Sequence, residues 1–181
     1  LEMGGKNPAV VLDDAENLDR VAAHIVNGAF WNMGENCSAS SRLILQKGVK
    51  DDLLKRIVAH AREWPMGDPL DPVNRVGALV SKSHFDKVSS YLDKGPKVVL
   101  GGKAEKGFVE PTILEVSREA KQAREEIFGP VLSVLTVDSF DEAISVANDT
   151  EYGLAASIFT ANVKRAIRGA RAIRAGTVTV N

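Results

Sequence analysis

The sequence predicts an α/β fold, a mainly parallel, doubly wound sheet with helices on both faces. Short β-branched or apolar runs alternate along the chain with longer amphipathic runs, a rhythm typical of parallel sheets covered by helices. The chain has 181 residues, 44% of them hydrophobic, which is enough to bury a core without disulfides. It shows no internal repeat, low-complexity tract or linker. These observations predict one domain over residues 1–181.

Strands are predicted from short apolar or β-branched runs bounded by turn-forming residues. In chain order they are Ala9–Leu12, Arg42–Gln46, Lys97–Leu100, Val131–Val137, Ala155–Phe159 and Thr177–Val180. The stretch "MGDPLDP" from Met66 to Pro72 is too rich in Gly, Asp and Pro for a helix or a central strand. It therefore predicts a connecting loop.

Helices are predicted between these strands from apolar residues that recur at helical spacing. The predicted helices are Glu16–Trp31, Val49–Trp64, Lys82–Asp93, Phe140–Ala147 and Asn162–Ala175. The first is the clearest, because its apolar residues share one face while Asp19, Arg20 and Asn27 face outward. The apolar positions are Leu18, Val21, Ala22, Ile25, Val26 and Ala29.

Composition argues against several classes of function. Lys and Arg number 23 and Asp and Glu 24, so the net charge is -1 and no basic stripe favours nucleic acid. One cysteine cannot form an internal disulfide, and His24, His60 and His84 lie far apart, so no metal site is expected. No apolar run has the length of a membrane span. We therefore expect a soluble, cytoplasmic protein without a membrane partner.

Both ends of the sequence interrupt a pattern. The first residues, "LEMGGKNPAVVLDD", lack an initial Met and enter a glycine turn and a strand at once. The last residues, "GTVTVN", stop on a predicted strand. The sequence is therefore expected to be a piece of a longer polypeptide.

The only cysteine, Cys37, lies in "MGENCSASSR", after a helix-ending glycine and before the strand that opens at Arg42. A free cysteine usually behaves as a small buried hydrophobe. Here its neighbours are polar or small, and the predicted helix-to-strand loop leaves backbone N–H groups available to an oxyanion. The context weakens the case for a buried filler, and both a structural and a reacting thiol stay open at this point.

Two further segments carry candidate groups. Glu2 stands before the pair Gly4 and Gly5, and a carboxylate there is either a solvated charge or a general base. The stretch "EEIFGPV", residues 125–131, sets a carboxylate and an aromatic ring beside a Gly-Pro turn. Its ordinary interpretation is a helix end followed by a turn and a core Phe.

Taken together, these segments resemble the aldehyde dehydrogenase superfamily. "LEMGGKNP" is similar to its glutamate signature and "FWNMGENCSASS" to its cysteine signature. "EEIFGPV" resembles the segment that meets the nicotinamide ribose, and "GTVTVN" the strand before the substrate-facing loop. The matches follow the family's order, and the resemblance covers essentially all of the chain.

The resemblance implies roles for particular residues. Cys37 would be the nucleophile that forms a thiohemiacetal and then a thioester with an aldehyde, and Glu2 the general base that activates water. Glu126 would bind the nicotinamide ribose hydroxyls, Phe128 would pack beside the nicotinamide ring, and Met3 would lie near that ring. The implied cofactor is NAD or NADP, and no metal is implied.

The resemblance also implies absent parts. No glycine-rich βα turn is present, so the dinucleotide-binding region is expected before Leu1 and a C-terminal tail after Asn181. The 181 residues would be the cysteine-bearing catalytic domain of an enzyme that forms a homo-oligomer, either a dimer or a tetramer. The aldehyde and the choice between NAD and NADP stay open.

Three other interpretations stay open. A branch of the family passes the thioester to coenzyme A, although Glu2 favours hydrolysis. The chain could instead be a non-catalytic oligomerisation or binding module with a buried Cys37. A cysteine hydrolase is the third, and it lacks a histidine near Cys37 in sequence.

Overall fold

A computed structural model describes residues 3–92 and 95–181. Within them lies a seven-stranded sheet in the order β3-β6-β7-β2-β1-β8-β9, and β4 pairs with β5 in a separate hairpin. The strands are β1 (Pro8–Val11), β2 (Arg42–Gln46), β3 (Lys97–Leu100), β4 (Ala104–Glu105), β5 (Phe108–Val109), β6 (Thr112–Glu115), β7 (Val131–Val137), β8 (Ala155–Phe159) and β9 (Thr177–Val180).

Every neighbouring pair in the large sheet is parallel except β3 with β6. This confirms the predicted mainly parallel sheet, and the predicted strands are all present. The prediction missed β6 and the small hairpin. Four residues of β6 and two of each hairpin strand are too few for a periodic signal, and β6 joins the sheet through its partners β7 and β3.

Helices cover the sheet between its strands. They are α1 (Leu18–Phe30), α2 (Lys47–Ala61), α3 (Lys82–Ser89), α4 (Lys121–Arg124), α5 (Phe140–Asn148) and α6 (Val163–Ala172), and a 3₁₀ turn covers Trp31–Gly34. Asn17 has a left-handed φ of 50°, which delays α1 to Leu18. Asn32 and Met33 are left-handed too, and they end the helical path before the cysteine loop.

The predicted helices are present with shifted ends. The second starts at Lys47 and ends at Ala61, three residues before the predicted end at Trp64. The third ends at Ser89, whereas its predicted end, Asp93, lies outside the described residues. The fifth predicted helix, which is α6, ends at Ala172 rather than Ala175. The one-turn helix α4 was not predicted, because four residues carry no periodic pattern.

The two faces of the sheet bury separate apolar layers. Alternate side chains of β1 point to opposite faces, so Val11 joins α1 and α2 in one layer while Val10 joins α5 in the other. Each fully buried aliphatic side chain contributes about 1.5–3 kcal/mol. A Cβ on Gly169 would collide with Ile158, so this glycine lets α6 pack directly on β8. Helices on both faces confirm the doubly wound arrangement.

The order of the central strands determines where the candidate residues meet. The adjacent strands β7, β2 and β1 run parallel, so their amino ends lie along one edge of the sheet. The segments just before these strands contain residues 3–7, 35–41 and 125–130. They are therefore neighbours in space although they are far apart in sequence.

No helix in the described part of the chain is both long and apolar enough to cross a bilayer.

Candidate active site

Cys37 lies in an exposed turn between the 3₁₀ turn and β2. The turn is closed by the Ala39 N–H, which donates to the Asn36 carbonyl at 3.0 Å, and by the Ser38 N–H, which donates to Asn36 Oδ1 at 3.2 Å. The Cys37 N–H finds no acceptor among the residues that the structure describes. An N–H without an acceptor, on the residue that carries the thiol, could be one of the donors to an oxyanion that develops beside the sulfur.

Asn7 fixes the cysteine turn to the sheet. Its Nδ2 donates to the carbonyls of Cys37 at 2.8 Å and Ala39 at 2.9 Å, and its Oδ1 accepts the Ala155 N–H at 3.0 Å. The residue is only 4% exposed, so these bonds satisfy a buried amide that would otherwise be costly. Sequence analysis did not assign Asn7, because the three backbone groups that it binds are distant in sequence.

The glycine pair before β1 allows the closest approach in the site. A Cβ on Gly5 would collide with the Cys37 carbonyl oxygen, and one on Gly4 would lie 2.9 Å from Glu126 Oε2 and from the Tyr152 ring. The Gly5 N–H donates to Glu126 Oε1 at 2.7 Å. All three segments at the amino edge are thus in direct contact around Gly5.

The structure therefore brings together Cys37, Glu126 and the segment that follows Glu2. Glu2 itself, the predicted base, lies outside the described residues. Met3, predicted to lie near the nicotinamide, is 63% exposed. The predicted cofactor residues Glu126 and Phe128 are partly buried and border a cavity of about 10 Å³ next to Gly5, which is room for one water molecule.

Phe128 has an unusual backbone, with a φ of 60°. Its carbonyl accepts a hydrogen bond from His84 Nε2 at 2.6 Å, and the two rings meet edge to face with centroids 5.9 Å apart. The next residue, Gly129, lies very close to Gly34. A side chain on Gly34 would collide with the Gly129 carbonyl. The Phe128 turn is therefore packed directly against the start of the cysteine loop.

Two buried cations lie beneath the site. Arg42 is 2% exposed and donates to the carbonyls of Lys6 at 2.8 Å, Val146 at 3.0 Å and Ala147 at 2.9 Å. Lys6 is 1% exposed, and burial lowers its pKa from 10.5 to about 7. The pKa of about 7 already includes a smaller lowering by the Arg42 charge and an opposing rise from Glu126 and Glu125. Sequence analysis identified neither side chain as part of the site.

In residues 3–92 and 95–181, no three His, Cys, Asp or Glu side chains lie close enough together to hold a metal ion. Fold and site together define an α/β domain with an exposed cysteine turn and Glu126 on either side of Gly5, at the amino edge of its sheet.

Comparison with known proteins gives the family. A family model described as "Aldehyde dehydrogenase family" matches residues 1–181. An aminoacetaldehyde dehydrogenase of Pseudomonas aeruginosa strain PAO1 is 62% identical over 100% of this chain and 38% of its own length. A crystal structure of gamma-glutamyl-gamma-aminobutyraldehyde dehydrogenase from Burkholderia cenocepacia J2315 has a TM-score of 0.96 at 47% identity, over 99% of this chain and 38% of that one.

An indole-3-acetaldehyde dehydrogenase crystallised with NAD⁺ has the same TM-score, 0.96, at 45% identity, over 99% of this chain and 38% of its own. The chain thus spans about 38% of the length of these relatives. It belongs to the aldehyde dehydrogenase family, which confirms the resemblance found in the sequence.

Proposed function

We propose that this chain is the cysteine-bearing catalytic domain of an NAD(P)-dependent aldehyde dehydrogenase that oxidises an aldehyde to a carboxylic acid. The main support is the contact at Gly5, where the segment that follows Glu2 touches the Cys37 carbonyl and binds Glu126. In this proposal the nucleophile, the general base and the carboxylate that binds the cofactor belong to three segments that lie at the amino edge of the sheet. Family membership and the NAD⁺ complex of a relative support the same reaction.

In the proposed first step, the exposed Cys37 thiol loses its proton to solvent, and the thiolate sulfur attacks the aldehyde carbon to form the thiohemiacetal anion. The carbonyl oxygen gains negative charge as the C–S bond forms. The Cys37 N–H, which has no acceptor among the described residues, donates to that oxygen. The Asn36 carbonyl, which shares a peptide plane with that N–H, accepts the Ala39 N–H, and Asn7 binds the Cys37 carbonyl, so the backbone on both sides of the N–H is held before the substrate binds.

Glu126 and Phe128 would hold the nicotinamide, which would supply the acceptor for the hydride that leaves the former aldehyde carbon with its electron pair. The carbon–oxygen double bond then reforms and leaves a thioester on Cys37. Water adds to this thioester, the thiolate leaves, and Glu2 accepts the proton of the attacking water. Gly4 and Gly5 allow the backbone after Glu2 to reach the cysteine turn, which is the approach that this step requires.

The residues present fit the nicotinamide end of the cofactor. Glu126 uses Oε1 for the Gly5 N–H, and Oε2 remains to accept ribose hydroxyls. Phe128 would pack beside the ring, and Met3 is exposed at the same edge. A cavity of about 10 Å³ cannot hold a dinucleotide. We therefore assign most of the NAD or NADP site to a separate N-terminal region, and we expect the 181-residue chain alone to bind the cofactor weakly and not to turn over.

The other interpretations gain less support. In a cysteine hydrolase a histidine would activate Cys37, but His84 directs Nε2 to the Phe128 carbonyl and to Glu35. In a non-catalytic module Cys37 would be buried, whereas it is exposed. The identity of the product, an acid or an acyl-CoA, distinguishes hydrolysis from transfer to coenzyme A.

Three broader features complete the proposal. A free, exposed thiol suits a reducing compartment, so we assign the enzyme to the cytoplasm. Its substrate is a small-molecule aldehyde. The exposed apolar side chains of α6, Val163 at 68% and Ile167 at 51%, support a protein partner, and we propose a homo-oligomer, either a dimer or a tetramer.

The proposal is tested with the full-length protein, a panel of aldehydes, and NAD⁺ or NADP⁺, by following absorbance of the reduced cofactor. Cys37→Ala should abolish turnover, and Ser145→Ala, at an exposed position on α5, should leave it unchanged. The product is identified with and without coenzyme A. An acid product supports hydrolysis, an acyl-CoA product supports the acylating branch, and turnover by Cys37→Ala contradicts the role of the thiol.

A further inference from the structure

The structure holds a partly buried histidine, His84, that the proposed reaction does not use. His84 lies in the first turn of α3, where its backbone N–H is bound by the capping hydroxyl of Ser81 at 3.2 Å. Its side chain is 14% exposed and reaches two segments of the active site. One is the cysteine loop and the other is the Phe128 turn.

The contacts of His84 Nε2 are short and specific. This atom lies 2.6 Å from the Phe128 carbonyl oxygen and 3.3 Å from Glu35 Oε1. Glu35 comes two residues before Cys37, and its side chain is only 9% exposed. Phe128 comes two residues after Glu126. One nitrogen atom thus contacts both the loop of the nucleophile and the turn of the cofactor carboxylate.

The chemistry of the partners fixes the proton on this nitrogen. A carbonyl oxygen only accepts hydrogen bonds, so Nε2 must carry the hydrogen that it donates to Phe128. Glu35 Oε1 lies 3.3 Å from the same nitrogen and accepts the Val80 N–H at 3.0 Å. His84 therefore bonds the Phe128 turn directly and packs against the carboxylate of the cysteine loop.

The backbone around the cluster depends on the same contact. Phe128 holds a left-handed φ of 60°, which is strained for a residue with an aromatic side chain. Its carbonyl is bound by His84, and its ring rests on the edge of the His84 ring. Beside it, Gly34 and Gly129 are packed too closely for a side chain on Gly34.

From these contacts we propose that His84 is a positioning residue that locks the cysteine loop to the Phe128 turn. It thereby keeps the thiol of Cys37 and the carboxylate of Glu126 in one fixed arrangement. The consequence for catalysis rests on the proposed function. The locking itself is a property of the fold and is measured separately.

The locking is tested by amide hydrogen exchange of the full-length protein, comparing the wild type with His84→Ala, His84→Gln and His60→Ala. His60 is a matched control, since it is bound to Asp19 on the opposite part of the domain. We expect His84→Ala to speed exchange about fivefold to tenfold in peptides covering both 33–38 and 126–131, as expected for loss of one hydrogen bond to a backbone carbonyl.

Exchange in α5, residues 140–148, should stay unchanged and serves as the internal reference. His84→Gln keeps a side-chain N–H and should restore most of the protection. Faster exchange in only one of the two segments would overturn the proposal, as would equal acceleration in α5, which indicates general loosening.

Kinetics form a second arm. We expect His84→Ala to lower kcat about tenfold and to raise KM for NAD⁺, with both values largely recovered by His84→Gln and unaffected by His60→Ala. If the wild type shows no dehydrogenase activity, the proposed function fails while the exchange experiment still decides the locking. Accelerated exchange with unchanged kinetics would overturn the catalytic consequence.

Discussion

Replacing Lys6 with Met should change how the stability of the protein depends on pH. Nζ of Lys6 is buried and has no hydrogen-bond partner among the described residues, and the whole residue is 1% exposed. Burial, with help from Arg42, lowers its pKa from 10.5 to about 7. Met keeps the apolar stem in place and removes the charge.

The magnitude follows from the difference between the folded and unfolded pKa values. An unfolded lysine titrates at about 10.4, so between about pH 7 and about pH 10 the unfolded chain holds more protons than the folded one. The free energy of unfolding therefore rises with pH in this window, by up to about 1.4 kcal/mol per pH unit. From about pH 6 to about pH 9 this one group adds about 3 kcal/mol.

Urea unfolding, followed by the fluorescence of Trp31 and Trp64, measures this effect in the wild type and in Lys6→Met. The stabilisation of Lys6→Met over the wild type should be about 3 kcal/mol larger at about pH 6 than at about pH 9. Lys55→Met, at an exposed position of α2, is the control and should show no such trend. A difference between Lys6→Met and wild type that is the same at both pH values would refute the reasoning.

Three other substitutions test the backbone contacts of the site. Gly5→Ala forces a methyl group against the Cys37 carbonyl, so we expect a loss of about 1–3 kcal/mol in urea unfolding and reduced turnover; wild-type turnover would argue against the close approach. Asn7→Ala leaves the carbonyls of Cys37 and Ala39 without their donor and should lower the free energy of unfolding by about 1–3 kcal/mol for each buried group. Proteolysis at the cysteine turn should also become faster. Unchanged proteolysis would show that the Asn7 amide does not hold the turn. Arg42→Met leaves three buried carbonyls unpaired and should lower Tm by several degrees. Arg42→Lys should recover only part of the loss, because the lysine ammonium lacks the planar set of donors of a guanidinium. Equal Tm values for the wild type and both variants would contradict this.

The helices and central strands were predictable because their signals are local. In α1 the apolar residues recur at helical spacing, and Val21, Ala22, Ile25, Val26 and Ala29 are all buried as expected. Strand β2 has an apolar centre, residues 43–45, and it is buried along its whole length. Strand β6 escaped prediction because its four residues gain their identity from pairing with β7.

The candidate site was predictable only in part. Motifs indicated Cys37 and Glu126, since their residue types and surroundings are read directly from the sequence. The roles of Asn7 and His84 were not visible, because each binds backbone groups that only the strand order brings near. Lys6 could have been flagged as a charge within an otherwise apolar approach to β1, but its lack of a partner is a property of the packed fold.

The amino-edge location of the thiol leaves the opposite rim of the sheet available for engineering. A strand of five residues such as β2 rises about 3.3 Å per residue, so the loops beyond its carboxyl end stand about 16 Å from the chemistry. The connection between β7 and α5, residues 138–139, is one of these loops. A fluorophore or a short peptide tag inserted there should report on the protein without approaching the cysteine turn.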